Sequence, residues 1–377
     1  QSPLVAVDRP ETSSGISSST LQFPSGSTHF VGAQPTAEWL IEKWNQARVE
    51  ARRRADDKPY VLALDEIQKI SNWSEIVKGL WDEDRGLGIN LHVVLLGSSP
   101  WLMGKGLTES LAGRFEMIRM THWAYYEMQD AFDFSVEEFI YFGGYPGSAR
   151  YINDEPRWRS YIRESLIYPC VEKDILEMTR VDKPILLRNL FELGCLYSGR
   201  IVAYSKLLCQ LQEKGNTTTL ATYLSLLSQA GMLTGLEKYS GSKIQAKKSP
   251  PKLNSLNTAL VSAVYDYEFD TAKSDRTHWG RLVETAIGAH LINTALDEYE
   301  ILYWRKEPNE VDFVVKSGKT LLAIEVKSGE MFGRHRGVET FCKEYGRAKA
   351  LIIGEGEGNI PVPLFLSQPI QYWIKSI

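Results

Sequence analysis

Residues 309–329 read NEVDFVVKSGKTLLAIEVKSG. Apolar and charged residues alternate on both sides of Ser317-Gly318, and a period of two is the mark of half-buried strands. The pattern predicts a β-hairpin turning at Ser317-Gly318. That register sets Lys316 beside Lys319, Asp312 opposite Ala323 and Glu310 opposite Glu325. Glu310, Asp312, Ala323, Glu325 and Lys327 then share one face, and Val311, Phe313, Val315, Ile324 and Val326 take the other.

A face with three carboxylates and one ammonium has a problem to solve. Adjacent carboxylates repel unless positive charge lies between them. A hard divalent cation such as Mg2+ takes oxygen ligands, so Asp312 and Glu325 are candidate metal ligands. Lys327 would then orient or deprotonate a water, or steady charge on a phosphate. The plainer reading is a solvated hairpin face laced by Lys–Glu pairs. Just upstream, RLVETAIGAHL (281–291) has a helical period. Glu284 borders its apolar stripe of Leu282, Val283, Ala286 and Ile287, and Gly288 permits close approach to a sheet. The plainer reading of Glu284 is an ordinary helix-surface acid.

The rest of the chain frames this segment. Its 377 residues suffice for two or three domains, and 43% hydrophobic with 24% charged residues is ordinary for a globular protein. The net charge of −4 excludes a global basic field, so any nucleic-acid site must be local. Four scattered cysteines lack metal-knuckle spacing, which fits a reducing cytoplasmic compartment. No apolar run reaches membrane-span length, and the first residues lack the blocks of a signal peptide, so neither membrane nor export is expected.

VLALDEI (61–67) is an apolar run ending in two acids, the Walker B pattern. In that reading Asp65 supports Mg2+ and Glu66 polarises the attacking water. WSEIVKGLW (73–81) follows at helical spacing, then LHVVLLGSS (91–99), a second buried strand; it resembles the sensor strand that follows Walker B, which implies that Ser98 or Ser99 contacts a nucleotide or its water. Strand, helix, strand predicts a doubly wound parallel sheet. ESLAGRFE resembles the arginine segment of AAA-type ATPases, which implies that Arg114 reaches a γ-phosphate in its own subunit or a neighbour's; the plainer reading is a surface arginine in a loop. Arg52, Arg53 and Arg54 read as a solvated helix end. Farther on, three short helices and the strand-like LTGLEKY suggest a winged helix-turn-helix. Its expected recognition helix, TTTLATYLSLLSQ (217–229), holds no Lys or Arg, which favours packing or protein contact over DNA reading. The basic KYSGSKIQAKK is the candidate wing.

Asp312 followed by Glu325-x-Lys327 resembles the PD-(D/E)XK nuclease signature. Together with LDEIQKI, LLGSS, ESLAGRF, GGYPG and AIEVKSG, in this order, the chain from about residue 58 resembles prokaryotic AAA-type ATPases. In those proteins a domain of unknown function, with a restriction-endonuclease-like fold, makes up the C-terminal half. The resemblance implies an α/β multidomain protein with four regions. These are a loop-like degenerate phosphate-loop region (1–30), an AAA-type parallel sheet with helices (31–135), a helical and winged-helix region (136–250), and a PD-(D/E)XK-like α/β domain (251–377). It implies ATP and Mg2+ as cofactors, nucleic acid as a partner and a homo-oligomer. Metal-assisted phosphodiester hydrolysis would fall to Asp312, Glu325, Lys327 and Glu284.

The chain departs from that family at one point. A phosphate loop needs G-x-x-x-x-G-K-[ST], so that backbone N–H groups and one ammonium cradle the phosphates. VAVDRPETSSG (5–15), where the loop is expected, has no lysine and no paired glycines. ATP hydrolysis is therefore expected to be impaired. The alternative from another class is a non-catalytic interaction or DNA-associated regulatory protein that keeps these folds as scaffold.

Overall fold

The computed structural model describes residues 4–7, 36–54, 58–97, 110–178, 181–211, 216–240, 249–295, 298–327 and 336–376. The chain forms two compact units, Gln1–Thr121 and His122–Ile377.

In the first unit, β1 (Leu4–Val7), β2 (Tyr60–Leu64), β3 (Leu91–Leu96) and β4 (Glu116–Ile118) form one sheet in the order β2-β3-β1-β4. Two helices, α1 (Ala37–Arg53) and α2 (Trp73–Leu87), belong to it. The spacing read from the sequence holds: Trp73, Val77, Leu80 and Trp81 of α2 are buried, as are Leu40, Trp44 and Ala47 of α1. Polar bonds fix the two helices together. Buried Asp84 accepts from Trp44 Nε1 at 2.7 Å and from Arg48 Nε at 2.5 Å. The expectation of a wholly parallel sheet is corrected. β2 and β3, joined by the crossover helix α2, are parallel, but β1 runs antiparallel to both β3 and β4. A parallel pair depends on such a crossover; β1 adds to the other side of β3 in the opposite sense, and the sheet is mixed.

The second unit is also mixed α/β. Helices α3 (Pro184–Leu196), α4 (Tyr204–Leu211) and α5 (Thr217–Gln229) precede an antiparallel ribbon of β5 (Leu233–Leu236) and β6 (Lys252–Ser255). Leu220, Tyr223, Leu224 and Leu227 are the buried face of α5, as its periodicity predicts. Then come α6 (Arg276–Thr294), β7 (Glu300–Lys306), β8 (Asn309–Ser317), β9 (Thr320–Lys327), α7 (Arg336–Glu344) and β10 (Ala348–Gly354). The last four strands form a sheet in the order β10-β9-β8-β7. Neighbours are antiparallel except β9 and β10, which α7 joins in parallel.

Apolar side chains of α6 meet Phe313, Val315, Leu322 and Ile324 on one face of this sheet. Val338 and Phe341 of α7 meet Trp304, Val311, Val314 and Ala323 on the other. One hydrophobic core runs from Tyr125 to Trp373, so the helices, the ribbon and the α6 face of the sheet pack as one body. Gly288 is essential to this packing: a Cβ there would lie 2.2 Å from Asn254 Oδ1 and 2.8 Å from Phe313 Cε1.

The hairpin forms two residues away from the expected register. Ser317 pairs with Thr320, which leaves Gly318-Lys319 as the turn, with Gly318 at φ +55°. Only glycine takes a positive φ without strain, so the turn centres on it. A slip of two preserves faces, but a second irregularity does not. Leu302 pairs with Val314 and Trp304 with Val311, so Asp312 and Phe313 together oppose Tyr303. This bulge reverses the alternation. Val311 therefore lies on the α7 face, opposite to Phe313, where regular alternation had put them together.

Candidate functional site

The site is built where β6, α6 and the bulge of β8 meet. Lys252 opens β6 and is fully buried, at 0% exposure. Its ammonium Nζ lies 2.6 Å from Glu284 Oε1 and 3.5 Å from Asp312 Oδ1, and donates to the Asp312 carbonyl at 3.0 Å. It also sits 4.7 Å from the centre of the Phe313 ring. A buried lysine is tolerated only when its charge is paired and its donors are used, and here all its partners come from other elements.

The Asp312 carboxylate has a second task. The β8–β9 ladder runs to the Phe313–Ile324 pair, and there Asp312 Oδ2 accepts from Val326 N at 2.8 Å. A side chain thus takes the place of a backbone acceptor and closes the gap where the strands part. Glu325 and Lys327 follow β9 on the face of Ala323. Lys327 Nζ donates to Glu325 Oε1 at 2.6 Å, while Glu325 Oε2 is buried and has no hydrogen-bond partner among the described residues.

The electrostatics follow from too many carboxylates for the buried cations present. Burial pushes the Glu284 carboxyl up to about 7; the Lys252 ammonium opposes this and Asp312 adds to it. Glu310 and Glu325 are also raised, first by burial. Burial alone would lower Lys252, but Glu284 and Asp312 overcome it and hold the ammonium above its ordinary range. The lysine therefore keeps its proton, and among the acids it is Glu284 that is poised near neutrality.

The expected residues are thus distributed in three places. Asp312 and Glu284 come together around Lys252. Glu325 and Lys327 pair with each other, near enough for the Asp312 charge to act on Glu325. Asp65 and Glu66 lie in the first unit. Asp65 is exposed at the end of β2, and its Oδ1 accepts from Glu66 N at 2.9 Å. Glu66 has a left-handed backbone, φ 55° and ψ 35°, and pairs with Lys69 at 2.9 Å. Arg114 is bound to Asp82 of α2 at 3.1 Å and lies over the Trp81 ring. Ser98, Ser99 and the stretch 8–15 lie outside the described residues, as do residues 241–248 of the candidate wing.

Lys252 escaped the sequence reading, which set it at the head of the C-terminal domain (251–377) and gave it no role. A signal was present: it heads an otherwise uncharged run from Leu253 to Tyr265. A lone lysine at the head of such a run is a candidate for burial with acids from elsewhere. Its presence bears on the metal. The carboxylates are the right donors in kind for Mg2+, but the ammonium occupies the space between Glu284 and Asp312. Among the described residues no three acidic, His or Cys side chains converge as they would around an ion. The arrangement does not fit a bound divalent cation.

Comparison with known proteins bears on each unit. Residues 29–129 match an AAA domain model, residues 133–271 the domain of unknown function DUF8612, and residues 279–371 the domain of unknown function DUF4143. The chain is 24% identical over 274 residues to the uncharacterized protein MJ1544 of Methanocaldococcus jannaschii, an overlap of 67% of this chain and 58% of that protein. The chain thus spans little more than half the length of this relative. No solved structure matches. The matches support an AAA-type ATPase-like family, and the AAA domain suggests nucleotide binding at the level of that family. Among the described residues no helix is long and apolar enough to cross a membrane.

Proposed function

We propose that this chain is an AAA-type ATPase-family protein whose second unit is a non-catalytic interaction module. The observation that carries the reading is the Lys252 ammonium, fully buried and 2.6 Å from Glu284. It neutralises from within the acids that a metal-dependent hydrolase would leave open for an ion. In the first unit, nucleotide chemistry is reduced. The sequence carries no phosphate-loop glycines or lysine, Glu66 is paired with Lys69, and Arg114 is held by Asp82. An oligomer in which Arg114 reaches a neighbour's nucleotide requires that the Asp82 pair open first. The three helices and ribbon follow the winged-helix order, and we assign them to packing and protein contact, because α5 carries no basic residue.

One observation favours a second reading, metal-dependent phosphodiester hydrolysis. Glu325 Oε2 beside Lys327, buried and without a partner among the described residues, is an acceptor awaiting a ligand. In that reading Lys252 must first leave its place between Glu284 and Asp312. The test is incubation of the wild type and Asp312→Ala with supercoiled DNA and Mg2+ or Mn2+. We expect no nicking by either protein. Metal-dependent nicking by the wild type, lost in Asp312→Ala, overturns the non-catalytic reading.

A further inference from the structure

The 3-10 turn Pro146–Tyr151, helix Glu155–Tyr161 and the helical segment Ile162–Ile167 that continues it bring four arginines into a short stretch, and the structure divides them into two pairs. Arg159 binds Asp266 at 2.8 Å and the Tyr267 carbonyl at 2.7 Å. Arg163 donates to the Ala263 carbonyl at 2.6 Å. These two hold the fold. Arg150 and Arg157 do something else. Both are exposed, and both lie against one ring, Tyr151, at 4.8 and 4.6 Å from its centre. Among the described residues no carboxylate forms an ion pair with either.

The two guanidiniums share one ring, so they stand within about 10 Å of each other, roughly one Debye length in physiological salt. At that range like charges repel. Each cation–π contact returns only a modest attraction at an exposed site. The Asp154 carboxylate accepts from the Arg157 backbone N–H at 3.2 Å but pairs with neither guanidinium, so the two cations together present a surface complementary to an anion. Tyr151 fixes both planar heads at little entropic cost, and each head offers a fork of N–H donors that matches phosphate oxygens. The chain as a whole carries a net charge of −4, so this is local and not a by-product of general basicity.

We propose that Arg150, Tyr151 and Arg157 form a clamp for the phosphodiester backbone of single-stranded nucleic acid. With both guanidiniums stacked on Tyr151, the clamp reads phosphates and not base sequence. The site is separate from Lys252 and its acids, and it stands whether or not those acids hydrolyse anything.

The test uses the full chain in EDTA, so that no metal-dependent cleavage enters. Binding of a short fluorescein-labelled oligodeoxythymidine is followed by anisotropy across a salt series. We expect the Arg150→Gln/Arg157→Gln double variant to lose affinity about tenfold or more at low salt. Its salt slope should fall by about 1.4, because each phosphate contact to a single strand contributes about 0.7. The single variants should fall between, and Lys319→Gln, an exposed turn lysine, should bind as the wild type does. Circular dichroism melts confirm that the variants are folded. Three results overturn the proposal: no binding by the wild type at low salt, unchanged affinity and slope in the double variant, or tighter binding of labelled polyglutamate than of the oligonucleotide. The last would point to an acidic protein partner instead.

Discussion

Two pairs of acids in this protein met different fates. After β2, Asp65 and Glu66 emerge at the surface, one exposed and the other paired with its near neighbour Lys69. Between β6, α6 and β8, Glu284 and Asp312 close around a lysine distant in sequence and fully buried. The first pair keeps much of its hydration and its bonds are local. The second has given up water and depends on partners that only folding supplies. An acid motif gains its chemistry from the dielectric and the counter-charge around it, and neither is written in the motif.

The sharpest way to probe this difference is to remove the counter-charge. Lys252→Met should destabilise the second unit by about 3–5 kcal/mol, since it leaves buried carboxylates uncompensated. Urea unfolding followed by tryptophan fluorescence measures it, and adding Glu284→Gln to the variant should restore part of the loss. Stability unchanged in Lys252→Met would mean that the buried site is as solvated as the surface pair.

A pH series offers a gentler probe. The Glu284 carboxyl is held at about 7 in the folded protein against an ordinary 4.5. A raised folded pKa favours the protonated folded form, so its stabilising contribution is complete below pH 4.5 and is lost as pH rises through 7. The urea midpoint of the second unit should fall between pH 5 and pH 8, by an effect of up to ~3 kcal/mol. Glu284→Gln should flatten that slope. A slope equally steep in the variant would assign the titration elsewhere.

The smallest effect belongs to the first unit. Arg114→Ala removes an exposed pair with Asp82 and should cost no more than about 1 kcal/mol, read as a small shift in thermal midpoint. A loss as large as that of Lys252→Met would erase the contrast between the two regions.

Much of the molecule was legible from local pattern. The buried stripes of α1, α2 and α5, the hairpin of β8 and β9, and the close approach at Gly288 all follow from side-chain periodicity and size. Such features depend on residues near in sequence. The turn at Gly318-Lys319 was missed by one residue, which slips the strand register by two, because several short loops fit the same alternation, and glycine's freedom at positive φ chose between them. The bulge at Asp312-Phe313 was not legible. It arises from the pairing of β8 with Tyr303 of β7, and it turns Asp312 toward Lys252.

By itself, the sequence determined the strands β2, β3, β8 and β9 and the helices α2, α5 and α6, since these express the periods of the backbone, but it read residues 1–30 as loop, where β1 forms. It also shows that no G-x-x-x-x-G-K-[ST] run occurs in these 377 residues. Only the tertiary structure decided the sense of β1, the reversal of faces at Asp312 and the ion that meets Glu284. Each of these depends on contacts between elements far apart in the chain, where burial strengthens a charge pair and a single bulge redirects a side chain.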